Sequence, residues 1–143
     1  MSTVRNLLKS KGTEVATASP DTTIFDAAVK MNEKKIGSLV IVKDDQIAGI
    51  LTERDILNRV IVNNLDPKKT PVGEVMTSPV CVANLDTLTD ELRLVMRERR
   101  IRHVPIVEEG KLCGMVSIGD LNYAKHVEQQ LTIHYLEQYI YKP

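Results

Sequence analysis

The sequence predicts a mixed α/β (α+β) fold made of two β-α-β-β-α repeats, packed as a pseudo-twofold pair and followed by a helical tail. Three observations support this prediction. The phrase GILTERD at residues 49–55 returns as GMVSIGD at residues 114–120. A shift of 65 positions aligns residues 15–60 with the second half of the chain without a gap. Each half also contains a helix-period apolar pattern that precedes two short apolar runs.

Each repeat has the same order of predicted elements. In the first repeat an extended piece, a helix, two strands and a second helix are predicted at residues 14–20, 22–35, 38–42, 47–51 and 53–62. In the second repeat the same elements are predicted at residues 79–85, 88–100, 103–107, 112–116 and 118–127. The predicted strands are apolar on both faces, and one unit of about 60 residues is marginal alone. We therefore expect the two repeats to cover each other.

The chain divides into four predicted regions. The first repeat takes residues 1–65, a linker rich in proline takes 66–71, the second repeat takes 72–126 and a helical extension takes 127–143. The extension carries apolar residues at helical spacing beyond the end of the repeat. We expect this surface to make a homodimer contact, and packing on the chain's own body is the alternative. These residues are Val127, Leu131, Tyr135, Leu136 and Tyr139.

Composition excludes several classes of protein. The formal net charge is +0 and the pI is about 6.8, so the protein as a whole does not present a basic surface that would bind polyanions. The longest apolar runs are far shorter than the ~20 residues that span a bilayer, and the N-terminus lacks a signal peptide, so we expect a cytoplasmic protein with no membrane contact. Cys81 and Cys113 are too few for a metal cluster. Both align with alanines, which predicts small buried strand residues.

The repeated phrase has two readings. Thr52 and Ser117 can cap the helix that follows, and Asp55 and Asp120 suit its positive N-terminus. A hydroxyl and a carboxylate at a helix N-terminus can also hold a sugar diol and a phosphate. Dinucleotide-binding folds use a carboxylate on ribose in this way. Capping explains one phrase well, but explains less well why both aspartates follow their hydroxyl residue by three positions.

These motifs resemble a pair of CBS domains, known as a Bateman module. The resemblance rests on GILTERD, GMVSIGD and IRHVPIV at residues 101–107, and covers about residues 4–126. TVRNLL at residues 3–8 and PVGEVM at residues 71–76 are similar to the lead-in segments of the family. No catalytic or DNA-binding domain is recognisable beside the repeats. The chain therefore resembles a stand-alone CBS pair that regulates a protein partner, which the sequence does not name.

The resemblance implies a binding module for adenosine nucleotides such as AMP, ADP and ATP, or for NAD(H) or S-adenosylmethionine. It places the ribose on Asp55 and Asp120, with Thr52 or Ser117 on ribose or phosphate. It implies no obligatory cofactor, although Mg²⁺ could accompany ATP. It also places adenine on one set of small or apolar residues in each site: Thr17, Ala18, Ile36 and Ile50, and Val82, Ala83, Ile101 and Met115.

The resemblance also implies that Arg102 and His103 meet phosphates. The first repeat has Gly37 and Ser38 at those positions. We therefore expect the Asp55 cleft to gather cations and to bind more strongly, while the Asp120 cleft is offered only Gly37 and Ser38. The cations of the Asp55 cleft would be Arg54, Arg102 and His103.

Other functions have weaker sequence support. In MVSIG, Gly114 stands one residue too early for a nucleophile elbow, and no P-loop, G-x-G-x-x-G or HExxH motif occurs, so we expect no enzyme. Nucleic-acid binding is disfavoured by zero net charge and few aromatic residues, despite the basic stretch at residues 97–103. A purely structural or interaction protein with degenerate sites remains an alternative.

Overall fold

The first half of the molecule is a helix on a three-stranded sheet. The computed structural model describes residues 2–141. Strands β1 (Thr17–Ala18), β2 (Ser38–Lys43) and β3 (Gln46–Thr52) lie in that order across the sheet. Strands β1 and β2 are parallel, so the chain needs a crossover, and helix α2 (Ile24–Lys34) supplies it. Strands β2 and β3 form an antiparallel hairpin.

Local chemistry sets the ends of these elements. Thr23 caps α2 by accepting a backbone N–H at 3.2 Å, and the helix ends at Lys35 in the left-handed conformation. The hairpin turns through Asp44 and Asp45, both with positive φ, which matches the twist of the strands. Helix α3 begins at Glu53–Asp55 and continues as a π-helix over Ile56–Ile61. One face of α2 is buried through Ile24, Ala27 and Met31.

The second half repeats this plan with one strand reduced. It contains α4 (Thr89–Arg99), the antiparallel strands β4 (His103–Glu108) and β5 (Lys111–Ser117), and α5 (Ile118–Tyr141). The register repeats as well, because Ser38 faces Thr52 in the first hairpin and His103 faces Ser117 in the second.

The predicted first strand of the second repeat is only a single parallel bridge between Ala83 and Ile106. In the first repeat, the Val40 N–H donates to the carbonyl of Ala16 at 3.1 Å. The equivalent of Val40 is Pro105, which has no N–H to donate. The missing donor accounts for the shortened strand. It also leaves Cys81 half-buried and outside any strand, so the prediction of a buried strand residue there is wrong; Cys113 is likewise half-buried, within β5.

The lead-in segments are exchanged between the halves. Helix α1 (Val4–Lys11) begins the first repeat, yet Val4, Leu7 and Leu8 are buried in the core of the second half. Conversely, the 3₁₀ turn Val72–Glu74 begins the second repeat and packs in the first core. The backbone contacts correspond: the Val4 N–H donates to Thr87 O at 2.9 Å, and the Val72 N–H to Thr22 O at 2.7 Å.

The glycine of the repeated phrase makes room for the exchanged segment. A Cβ on Gly49 would lie 2.5 Å from the Met76 sulfur, and a Cβ on Gly114 would lie 2.7 Å from Leu8 Cδ1. Each half then closes around its own apolar core. The first contains Ile24, Ala27, Met31, Leu39, Ile41, Leu51, Val60, Val72 and Val75. The second contains Val4, Leu7, Leu8, Leu92, Met96, Val104, Ile106, Val116 and Leu121.

The predicted last helix of the second repeat and the predicted tail form one continuous helix, α5. Leu121 is buried near its start, whereas its apolar residues from Val127 onward are exposed. At 100° per residue these residues fall on two opposite faces instead of one. One face carries Leu131, Tyr135 and Tyr139, and the other carries Ile133, Leu136 and Ile140. The last two residues of the predicted tail lie outside the described residues. Within residues 2–141, every helix is too short or too polar to cross a bilayer.

Candidate functional site

Both repeated phrases form reciprocal capping boxes. The Thr52 N–H donates to Asp55 Oδ2 at 3.0 Å, and the Asp55 N–H donates to Thr52 Oγ1 at 3.2 Å. The second phrase makes the same pair through Ser117 and Asp120, at 2.8 and 3.1 Å. A capping box requires a spacing of three residues. Capping therefore accounts for the spacing in both copies, and the expectation that it explains the spacing less well is wrong.

Asp55 is enclosed by the lead-in of the second repeat. Its residue is 8% exposed, and the Thr77 hydroxyl donates to its Oδ1 at 3.1 Å. Arg59 Nε lies 3.9 Å from the same oxygen, and Arg59 Nη1 donates to Val75 O at 2.8 Å. Thr77 is itself fixed by two backbone hydrogen bonds with Ile50, at 3.0 and 2.8 Å. Both carboxylate oxygens of Asp55 therefore have protein donors.

Asp120 has a different partner, from the end of α1. Lys11 Nζ lies 2.5 Å from Asp120 Oδ2 and also donates to Met115 O at 2.6 Å. Burial acts to raise the pKa of Asp120, but hydrogen bonds from Lys11 and Ser117 outweigh it, so the pKa is lowered from its ordinary value. Within residues 2–141 all hydrogen bonds to this carboxylate use Oδ2.

A cavity of about 660 Å³ opens beside Asp120, between the two halves. Pockets of ~300–1,000 Å³ are the usual size for small-molecule sites. The first half lines it with Val15, Ala16, Lys34, Lys35, Ile36, Gly37 and Ser38. The second half contributes His103, Met115, Ser117 and Asp120, and the end of α1 and its following loop contribute Lys11, Gly12 and Glu14.

The charge of the cavity favours an anionic group on a bound molecule. Its lining holds three lysines, Lys11, Lys34 and Lys35, against two carboxylates, Glu14 and Asp120. Lys34 and Glu14 form a long, exposed pair at 3.9 Å, which constrains either group little. The charge of Lys34 is therefore largely available to a ligand.

His103 is half-buried at the first residue of β4 and faces the cavity. Burial lowers its pKa below the ordinary value of 6.5; Glu53 and Asp120 oppose this shift, and Lys11 and Arg102 add to it. The imidazole is therefore mainly neutral near neutral pH, when it acts as a hydrogen-bond donor or acceptor and not as a cation.

The cavity brings together seven of the predicted site residues: Ile36, Gly37, Ser38, His103, Met115, Ser117 and Asp120. Our expectation that the Asp120 cleft is offered only Gly37 and Ser38 is wrong, because His103 and three lysines also line it. The grouping of Ile36 with Ile50 is also wrong, since Ile36 lies with Met115 and Ile50 packs at the enclosed Asp55 side.

The other predicted residues lie outside this lining. Thr17 and Ala18 form β1, directly after the lining residue Ala16. Thr52 and Asp55 form the enclosed capping box. Arg54, Val82 and Arg102 are exposed, while Ala83 and Ile101 pack against the second core. Sequence reasoning missed Lys11, Lys34 and Lys35. Lys34 and Lys35 directly precede Ile36 and could have been found, whereas nothing local to Lys11 indicates that α1 crosses to the other half.

Comparison with known proteins identifies the repeated unit. The profile of the CBS domain matches residues 4–62 and again residues 72–126. The chain belongs to the CBS-domain family. The two matches make it a tandem CBS pair, a regulatory module, which confirms the resemblance and the fold predicted from the sequence.

Relatives of similar length support this assignment. The chain is 36% identical over 121 residues to the CBS domain-containing protein YhcV of Bacillus subtilis, which covers 85% of this chain and 84% of the relative. The CBS-domain containing protein ATU1752 from Agrobacterium tumefaciens superposes with a TM-score of 0.83 at 37% identity, covering 87% of this chain and 99% of that one.

A solved CBS pair carries adenosine ligands. The CBS domain pair of protein MJ0100, crystallised in complex with 5'-methylthioadenosine and S-adenosyl-L-methionine, superposes with a TM-score of 0.80 at 25% identity. The superposition covers 90% of this chain and 98% of that one.

Proposed function

We propose that this CBS pair is a regulatory module, and not an enzyme, that binds an adenosine nucleotide in the cavity beside Asp120. One observation carries the proposal: a carboxylate at the start of α5 and three lysines line the same 660 Å³ cavity. Such a site offers an acceptor for sugar hydroxyls and cations for a phosphate. The adenosine ligands of the MJ0100 pair support the choice of adenosine.

Asp120 has an oxygen to offer to a ribose. Its hydrogen bonds within residues 2–141 are made through Oδ2, so Oδ1 can accept from a ligand hydroxyl. Asp55 has no unbonded oxygen, because its Oδ2 accepts from the Thr52 N–H and its Oδ1 accepts from the Thr77 hydroxyl. The proposed ranking of the two sites is therefore the reverse of the ranking expected from the sequence. Ile36 and Met115 would supply apolar contact for the adenine.

Binding should be measured by thermal unfolding and by calorimetry with AMP, ADP, ATP and adenosine, with GMP and CMP for comparison. At ~100 times the dissociation constant, a bound nucleotide stabilises the folded protein by about 2.7 kcal/mol. We expect adenosine nucleotides to give the larger shift. Equal shifts in melting temperature with every nucleotide would mean that the site attracts phosphate without recognising adenosine. The absence of any shift would favour a structural CBS pair with degenerate sites.

The matched aspartates separate the two clefts. Asp120→Asn should weaken nucleotide binding about ten- to a hundredfold, because a charge-assisted hydrogen bond is worth ~1.5–3 kcal/mol. Asp55→Asn should leave the dissociation constant nearly unchanged, because that carboxylate is held by Thr52 and Thr77. If Asp55→Asn weakened binding and Asp120→Asn did not, the nucleotide site would instead be the Asp55 cleft.

We also propose that the exposed part of α5 supports a homodimer. Its two apolar faces have no partner in the described residues of this chain. The double variant Leu131→Glu, Tyr135→Glu should lower the mass measured by sedimentation, while Gln130→Glu, which lies on the same helix outside both apolar faces, should not. A monomeric wild-type protein would contradict the proposal.

A further inference from the structure

Lys11 reaches Asp120 only because of the exchanged lead-in. It is the last residue of α1, and the preceding turns fix its position because Leu7 and Leu8 are buried in the second core. Gly12 follows with a φ of 102° and directs the chain back toward the first repeat. The ammonium is therefore brought to Asp120 by a segment that begins the other repeat.

The Lys11 contact completes the hydrogen bonding of one oxygen of the Asp120 carboxylate. Oδ2 accepts from the Ser117 N–H and from Lys11, which uses the two lone pairs of that oxygen. A ligand that donates one hydroxyl to each carboxylate oxygen must therefore replace Lys11 on Oδ2. Lys11 keeps a second acceptor, Met115 O at 2.6 Å, so the released ammonium remains at the cavity wall.

The ion pair also separates two spaces. Lys11 and Asp120 line the 660 Å³ cavity, and both also line a second cavity of about 390 Å³ between α1 and α5. The Lys11 side chain is 32% exposed and the Asp120 side chain 23% exposed, so the pair is only partly solvated. Breaking it without replacement leaves two poorly hydrated charges.

We infer that Lys11 determines ligand specificity, by competing with a sugar diol for Asp120 and by pairing with an anionic group of the ligand once displaced. This inference rests on the proposed function of the cavity. A neutral nucleoside gains the Asp120 contact but leaves the ammonium without its carboxylate. A nucleotide offers sugar hydroxyls to Asp120 and an anionic phosphate to Lys11, so both members of the broken ion pair gain a new partner. The resident lysine thus selects against uncharged nucleosides.

The test compares adenosine and AMP by calorimetry in the wild-type protein and in Lys11→Met. Methionine keeps the apolar stem and removes the charge. We expect the variant to bind adenosine several-fold more tightly and AMP more weakly. The preference for AMP over adenosine should fall about tenfold, which corresponds to ~1.4 kcal/mol.

Two controls accompany this measurement. Lys9→Met removes a lysine from the same helix, outside the cavity lining, and should keep the wild-type preference. Lys11→Arg keeps a cation and should retain most of the preference. If Lys11→Met changes both affinities by the same factor, or neither, Lys11 does not determine specificity. If the wild-type protein binds neither ligand, the proposed function fails as well, so the two failures are distinguishable.

Discussion

The two aspartates of the repeated phrase occupy equivalent positions and meet different partners. Asp55 is bonded by the Thr77 hydroxyl at 3.1 Å and is 8% exposed. Asp120 is bonded by Lys11 at 2.5 Å and faces a cavity of about 660 Å³. The capping boxes are alike in both, so the difference comes entirely from what surrounds them.

That difference originates in the exchanged lead-ins. Thr77 and Lys11 each follow a lead-in segment that crosses to the opposite half, so each aspartate receives a partner from the other repeat's flank. A neutral hydroxyl completes the hydrogen bonding of the buried Asp55 carboxylate. An ammonium forms a pair that a ligand can replace. The same sequence motif therefore forms two different environments, one around Asp55 and one around Asp120. The variants below test this difference, from the largest expected effect to the smallest.

Leu8→Ala should be the most damaging change. Leu8 is 3% exposed within the second core, and truncation of a buried leucine costs about 2–5 kcal/mol. Met76→Ala at the equivalent position should cost less, because Met76 is half-buried. Guanidinium unfolding of both variants measures the free energies. A cost below about 1 kcal/mol for Leu8→Ala would mean that α1 is not part of the second core.

Asp55→Ala should destabilise the fold more than Asp120→Ala. Removing Asp55 leaves the half-buried Thr77 hydroxyl and the Thr52 N–H without their acceptor, which costs about 1–3 kcal/mol. The Asp120 site is more exposed, and Lys11 keeps Met115 O. Urea unfolding at neutral pH provides the comparison. Equal losses would show that the two environments are energetically equivalent.

The Asp120 carboxyl should titrate below its ordinary pKa of 3.8 in the wild-type protein. A lowered folded-state pKa means that the carboxylate stabilises the fold fully above pH 3.8 and loses that contribution as the pH falls through the lowered value. In Lys11→Met the pKa should rise, because burial remains and the main opposing hydrogen bond is gone. Carbon NMR of the carboxyl group follows both titrations, and an unchanged pKa would refute the pairing.

His103→Gln should give the smallest effect, confined to mildly acidic pH. Burial lowers the pKa of His103 below 6.5, so the unfolded chain takes up the proton first as the pH falls. Wild-type stability should therefore decrease below pH 6.5 with a slope of less than one proton, and the variant should lack this part of the slope. Thermal unfolding from pH 7.5 to about 5 tests this; identical slopes would contradict it.

The sequence predicts local structure and the repeat well, because those depend on periodicity and turn chemistry. Helix α2 and both hairpins lie close to their predicted positions, since apolar spacing and hairpin turns are local signals. The sequence could have predicted the reduced strand from Pro105, because a residue without an N–H cannot complete the bridge. It could not have predicted the partners of Asp55 and Asp120, because these depend on segments that cross between the halves.

The exchanged lead-ins have a consequence for how such a chain can be divided. A single repeat cut from this protein would carry a lead-in that fits the other repeat's core, and its own core would lack one. Two separate copies could satisfy this need by swapping lead-ins between molecules, at the concentration cost of any bimolecular association. Joining the copies in one polypeptide replaces that cost with a local effective concentration. The duplication therefore acts as a tether that makes the exchange of lead-in segments independent of protein concentration.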